Sequence, residues 1–572
     1  MRFLLPILCL CLLISCARQG TPSGGPKDTQ APQFLGSNPD TLSLNVSTDL
    51  KEIKIDFDEY IILKEPMKNI VVSPPLGSSA TFMPIGSPSK TLKVKLEEPL
   101  QANTTYNINF GNAIQDNNEG NKLPYFQYVF STGDYIDSLE ISGKASIPAL
   151  RKQSENLLVA LFKMDSAYTD SLILRQKPFY ISRLDSAGIY KLNYLRPGKY
   201  QMVAFDDEVQ NMQFDIGKEK FGFLGEPIEL TENQNFNIEL FDQIPPYRAE
   251  KAEQKGYGHI VFRFKGQPEE IEIQPLDFDF TTSKTSYIPK SDSLNFWFQP
   301  TIDSIAENSK RIHFLVNHKE QTDTLTMVYS NLTKHSLKLD RKNLLDYAPG
   351  RPIKFTANYP IVQLDSTRVN VLKDTISLPA KLIHDLKDPN SFTLDFPIEL
   401  ASSYRVEIFP EAVTDFFGKT NDTIQFDVRT KTRNDFGNLK LTLENPPAHP
   451  FWIQLLNDKD EILDEKLSTN TNFEYNYLPA GKYYFKLLVD ENENGFWDTG
   501  DFFTKKQPEP SYVYPSVINV RVLWDMDETW VLPALVKDTE DLNQTEEEAE
   551  TTEISDEVEN KKSPSEKEED LP

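Results

Sequence analysis

Twelve residues near the end of the chain carry its densest run of oxygen ligands, from Asp490 through Asn492, Asn494 and Asp498 to Asp501. Calcium takes about six to eight oxygens, and a loop of roughly twelve residues supplies them from positions 1, 3, 5, 7, 9 and 12. Counted from Asp490, those positions hold Asp490, Asn492, Asn494, the Phe496 carbonyl, Asp498 and Asp501. Gly495 falls where such a loop turns sharply, and Trp497 where it buries an apolar side chain. Two features depart from that pattern. The last ligand is Asp, too short to favour bidentate ligation, and the loop is entered from a strand-like stretch, Tyr483 to Val489. With three charged ligands, the expected affinity is about 10⁻⁴–10⁻³ M. The alternative is an Asn/Asp/Gly turn that bonds its own backbone and binds nothing.

A second chemistry sits at the other end. All three cysteines, Cys9, Cys11 and Cys16, lie in the first sixteen residues, so the rest of the chain has no disulfide, thiol nucleophile or thiolate metal site. After Met1 and Arg2, an apolar run from Phe3 to Ile14 falls short of the roughly 20 residues that span a bilayer. It fits the core of a signal peptide, residues 1–15. The run ends Leu13-Ile14-Ser15-Cys16, which resembles a bacterial lipobox. That resemblance implies cleavage before Cys16 and lipidation of its thiol. Several acyl chains on one residue anchor a protein stably, where one chain binds only marginally. Residues 16–30, rich in Gly, Pro and Ser, read as a flexible tether. Ala17 replaces the Asp that would resemble an inner-membrane retention signal, so the outer membrane is expected, with its face left open.

Other chemistries find little support. The six histidines, His259, His313, His318, His335, His384 and His449, never show the i, i+4 spacing of a helical zinc site. No phosphate loop, nucleophile–base pair or inward-facing carboxylate pair can be argued. The net charge of −26 excludes nucleic acid as a natural partner, since phosphate binding needs a basic face. Trp297, Trp452, Trp497, Trp524 and Trp530 are candidates for a glycan platform, with core packing the expected role for most.

The elements that position these residues read as strands. Ile53, Ile55 and Phe57, then Leu92, Val94 and Leu96, then Tyr106, Ile108 and Phe110 alternate with polar residues, and turn residues interrupt every ten or so positions. An all-β chain of tandem β-sandwiches is expected. Its length argues for four or five modules.

Two modules are each written twice. Leu96, Pro99, Tyr106, Ala113, Asp116 and Gly120 recur as Leu394, Pro397, Tyr404, Ala412, Asp415 and Gly418, placing one module at 31–134 and 345–432. Leu195, Gly198, Lys199, Tyr200 and Asp207 recur as Leu478, Gly481, Lys482, Tyr483 and Asp490, placing a second at 137–243 and 436–535. Residues 255–340 carry strands that match neither. The recurring Tyr is expected to bury its ring and bond its hydroxyl, the recurring Gly to supply a left-handed turn. Aligned on Asp490, the first copy has Val209, Met212 and Lys218 in place of two ligands and the turn Gly, so it should bind no metal.

The first module resembles the bacterial Ig-like domain of S-layer and other surface proteins, and the second resembles the carboxypeptidase regulatory-like, or transthyretin-like, β-sandwich. With the lipobox, the assembly resembles an Ig-like lipoprotein of the Bacteroidetes type. Neither domain family is enzymatic, which implies a spacer or interaction scaffold with a protein or glycan partner. A calcium-dependent adhesin or glycan binder is the first alternative, and a hydrolase using 255–340 the second.

Much of the acidity is local. Residues 537–572 hold 15 Asp and Glu against four Lys and no aromatic, so the tail 536–572 reads as disordered.

Overall fold

A computed structural model describes residues 28–533 apart from 77–79, 125, 278–281, 300–309, 331–334 and 344. The signal peptide, Cys16 and the acidic tail therefore lie outside the described residues. The described chain is all-β, built of small, mainly antiparallel sheets that form tandem Ig-like sandwiches. Its single α-helix, Pro66–Asn69, is one turn long, and no helix among the described residues is long and apolar enough to cross a membrane. The described residues fall into two compact units: one holds those up to Glu250 with Phe264–Glu269 and Asp498–Pro508, the other holds the remainder.

In the first unit, strand Glu52–Leu63 pairs with Phe34–Asn38 on one side and Ser89–Lys95 on the other. A second sheet joins Val71–Ser73, Thr105–Asn109 and Gln127–Ser131. Ile53, Ile55 and Phe57 point inward between exposed Lys54, Asp56 and Asp58, and they meet Tyr106, Ile108 and Phe130 in one core. The alternation read from the sequence is thus the pleat of a sandwich with one wet face.

The next sandwich places Leu139–Ser146 between Ile189–Leu195, antiparallel, and the short strands Gln234–Asn235 and Ile238–Glu239, parallel. Its other sheet is centred on Leu157–Lys163 and Gly198–Asp206. That sheet is buried on both faces, so Leu157 to Phe162 is a continuous apolar run instead of an alternating one. The outer face carries an aromatic cluster of Phe205, Phe214, Phe221, Phe223 and Phe241, completed by Phe502 from Asp498–Pro508.

The second unit repeats both plans. Ile353–Ala357 lies between Leu339–Arg341 and Ser391–Asp395, opposite Val369–Lys373, Ser403–Ile408 and Ile424–Arg429. Phe436–Glu444 lies between Asn472–Pro479, antiparallel, and Asp525–Val531, parallel. Those pairings reproduce the arrangement around Leu139–Ser146 in the first unit. Between the repeats, Ser293–Phe298 and the hairpin Lys310–His318 with Gln321–Tyr329 belong to two sheets whose Phe262, Phe296 and Phe314 rings meet at 5.0–6.2 Å.

Candidate functional site

Strand Gly481–Val489 delivers Asp490 to the sheet edge, where its amide donates to the Pro450 carbonyl at 2.8 Å. Asp490 is 1% exposed. Its Oδ1 accepts the Asn494 amide at 3.0 Å and its Oδ2 the Gly495 amide at 2.8 Å. Asn492 Oδ1 also accepts the Asn494 amide, at 3.0 Å, and Asn494 Oδ1 accepts that of Phe496 at 2.8 Å. Gly495 takes a φ of +83°, the left-handed turn that the spacing required. The Trp497 indole fastens the loop by donating to the Glu509 carbonyl at 2.8 Å.

One acidic residue escaped the loop template. Glu509, 4% exposed, accepts the Asn492 amide at 3.2 Å. Asp490, Asn492, Asn494 and Glu509 therefore stand together. The remaining loop carboxylates have other work, in the first unit. Asp498 receives the Lys506 ammonium at 3.1 Å. Asp501 accepts from the Gln243 amide at 2.9 Å and the Thr504 hydroxyl at 2.8 Å. Burial works to raise the Asp501 carboxyl, but those donors and nearby backbone N–H groups hold it below the usual carboxylate range. Phe496 is 36% exposed, with the Lys290 ammonium 5.2 Å from its ring centre.

The first copy has the same skeleton with a different counter-charge. Asp207, wholly buried, accepts the Asn211 and Met212 amides at 2.9 and 3.1 Å. Glu219, 3% exposed, accepts the Val209 amide at 3.3 Å, as Glu509 accepts that of Asn492. Here the Arg183 guanidinium lies 3.7 Å from Asp207. Arg183 faces Leu158 across the sheet, and Leu467 faces the equivalent Trp452 in the second copy. Among the described residues, no basic side chain pairs with Asp490. Burial raises the Asp207 carboxyl against the opposing pull of the Met212 and Asn211 amides and of Arg183.

The other recurring residues fix backbone. Tyr106 and Tyr404 bury their rings, and their hydroxyls accept the amides of Gln101 and Glu399 at 2.9 and 2.6 Å. Tyr200 and Tyr483 donate to the Arg196 and Pro479 carbonyls at 2.9 and 2.8 Å. Gly120 and Gly418 are left-handed, as expected. Gly198 and Gly481 are not. The positive φ near them falls on Tyr194 and Tyr477, where register shifts interrupt the pairing of Ile189–Leu195 and Asn472–Pro479.

The described histidines do not converge. His313 bonds Asp277 at 2.8 Å, and His259 bonds Asn295 at 2.9 Å while stacking on Trp297. No group of three or more His, Cys, Asp or Glu is poised to hold a metal among the described residues. Trp297 and Trp530 are core residues, and Trp524 is 53% exposed beneath the Arg521 guanidinium.

Residues 28–132 match the family described as bacterial Ig-like domain. No curated protein matches the chain. Similar solved structures include the S-layer protein rSbsC(31-844), 10% identical over 81% of this chain, with a TM-score of 0.14. The chain spans 64% of that structure's length. The major pilin subunit BcpA of Bacillus cereus is 10% identical over 69% of this chain and 98% of its own, with a TM-score of 0.12. A DUF3823 family protein from Parabacteroides merdae is 12% identical over 34% of this chain and 97% of its own, again at 0.12.

Proposed function

We propose that this chain is an exported, non-catalytic lipoprotein, anchored in the outer membrane through Cys16 and presenting its sandwiches as a spacer and interaction scaffold for a protein or glycan partner. The observation that carries this reading is how the repeated residues are employed. Tyr106 and Tyr404, Tyr200 and Tyr483, and Asp116 and Asp415 all bind their own backbone. Duplication therefore multiplied a scaffold. The signal-like N-terminus and the match of residues 28–132 to a bacterial Ig-like domain support an exported role. Fractionation of cells expressing the wild type and Cys16→Ser tests it. The wild type is expected in the outer membrane and the variant absent from it. A variant that still reaches the outer membrane contradicts the reading.

Asp490 favours a second reading, a calcium-stabilised adhesin or glycan binder. Its carboxylate has the burial of Asp207 without the guanidinium. Accepting two amides leaves further lone pairs for a cation, and Asn492, Asn494 and Glu509 are the oxygen donors beside it. Glycan binding that calcium promotes and a chelator abolishes would establish this second role.

A further inference from the structure

Within the first unit, a cleft of about 350 Å³ opens between the Ig-like sandwich and the one that follows it. Its floor is apolar and deep: Ile70, Leu76 and Ile181 are at most 7% exposed. Its rim carries two large apolar side chains in water, Met67 at 73% and Ile85 at 68% exposed. Isolated apolar residues are ordinary on a surface, but a pair flanking an apolar cleft marks a place built for an apolar guest. Met adapts its shape to such guests. The lining holds a single charge, Lys177, and few other polar side chains, among them Gln210 and Asn211. Among the described residues, no acidic side chain lines it. Gln210 and Met212 at its edge both take left-handed backbone, at φ +59° and +58°, in the turn that wraps the Asp207 carboxylate.

Volume and charge together select the occupant. Small-molecule sites run from roughly 300 to 1,000 Å³, apolar with a few polar groups that orient the ligand. This cleft stands at the small end and offers one cation beside an apolar trough. We propose that it binds a free single-chain amphiphilic monoanion, a long-chain carboxylate, with its tail on Ile70, Leu76 and Ile181 and its head at Lys177. This site is independent of the anchor at Cys16.

The test uses the purified full chain and cis-parinaric acid, a polyene carboxylate that fluoresces on leaving water. Saturable binding of about one probe per chain is expected, displaced by a long-chain carboxylate and much less well by the alcohol of equal length. Lys177→Glu should weaken binding roughly tenfold or more, the equivalent of about 1.4 kcal/mol. Lys459→Glu, which makes the same charge change in the other unit, should leave it unchanged. Met67→Asp and Ile85→Asp alter only exposed rim positions, so the fold survives, and each should weaken the probe. Absence of saturable binding overturns the proposal. So does binding indifferent to both rim variants, or equal displacement by the alcohol.

Discussion

The guanidinium of Arg183 lies 3.7 Å from the buried carboxylate of Asp207, and no basic side chain among the described residues pairs with Asp490 at the equivalent place. One module therefore neutralises its buried acid from within the chain, and the duplicate does not. Removing one member of a buried pair costs more than the pair contributes, because the other is left charged in an apolar setting. Arg183→Met should destabilise its module by about 1–3 kcal/mol, since the 3.7 Å pair carries charge but no hydrogen bond. Hydrogen exchange of strands Leu157–Lys163 and Gly198–Asp206 in the full chain reads this locally. Unchanged protection would refute it.

Calcium is the second prediction. Millimolar calcium should raise the melting temperature of the wild type and slow exchange around residues 490–497. Asp490→Ala should abolish both effects, Glu509→Gln should weaken them, and Asp207→Ala should leave the calcium response intact. No shift in the wild type at millimolar calcium sinks the second reading.

Tyr106 and Tyr404 supply a third. Each hydroxyl accepts an amide five residues upstream, so Tyr106→Phe and Tyr404→Phe orphan a backbone N–H while keeping the ring packed. Each substitution should cost about 1–2 kcal/mol in its own module. A loss confined to one of the two, measured by local hydrogen exchange, would mean that the repeat is not equivalent at this position.

Asp116 and Asp415 should respond oppositely to pH. Asp116 accepts three amides, from Glu119, Gly120 and Asn121, at 2.6–3.0 Å. Burial pushes its carboxyl up, yet those donors hold it below its ordinary value. Its stabilisation is present above the unfolded value of about 3.9 and is lost as pH falls through the lower folded one. Asp415 accepts two amides through Oδ1 while Oδ2 has no partner, and burial raises it. Its contribution is present below about pH 3.9 and is lost as pH rises through the raised folded value. At neutral pH, Asp116→Asn should therefore cost about 1.5 kcal/mol, and Asp415→Asn distinctly less. Equal costs at neutral pH contradict this assignment.

The fold class was legible because alternation is a direct image of the pleat: Ile53, Ile55, Phe57, Leu92 and Val94 are all at most 1% exposed. The duplication was legible because Tyr106 and Tyr404 do one backbone task at one spacing. The acidic turn was legible only in its first half. Asp490, Asn492 and Asn494 share local bonds that spacing encodes, whereas Glu509 arrives from beyond the loop after a separation that differs between copies, 19 residues from Asp490 against 12 between Asp207 and Glu219. Arg183 was invisible for the same reason. It meets Asp207 through strand pairing, and one residue in a strand gives no sign of its partner. The cleft beside Lys177 joins two modules, and no local pattern announces such a junction.

Anchoring through Cys16 is the claim on which the scaffold reading most depends, and labelling tests it directly. Cells fed an alkynyl fatty acid and expressing the wild type or Cys16→Ser are lysed, and the chain is captured and assayed for label. The account predicts label on the wild type and none on the variant, whose signal should remain uncleaved. An unlabelled wild type, or equal label on both, contradicts it.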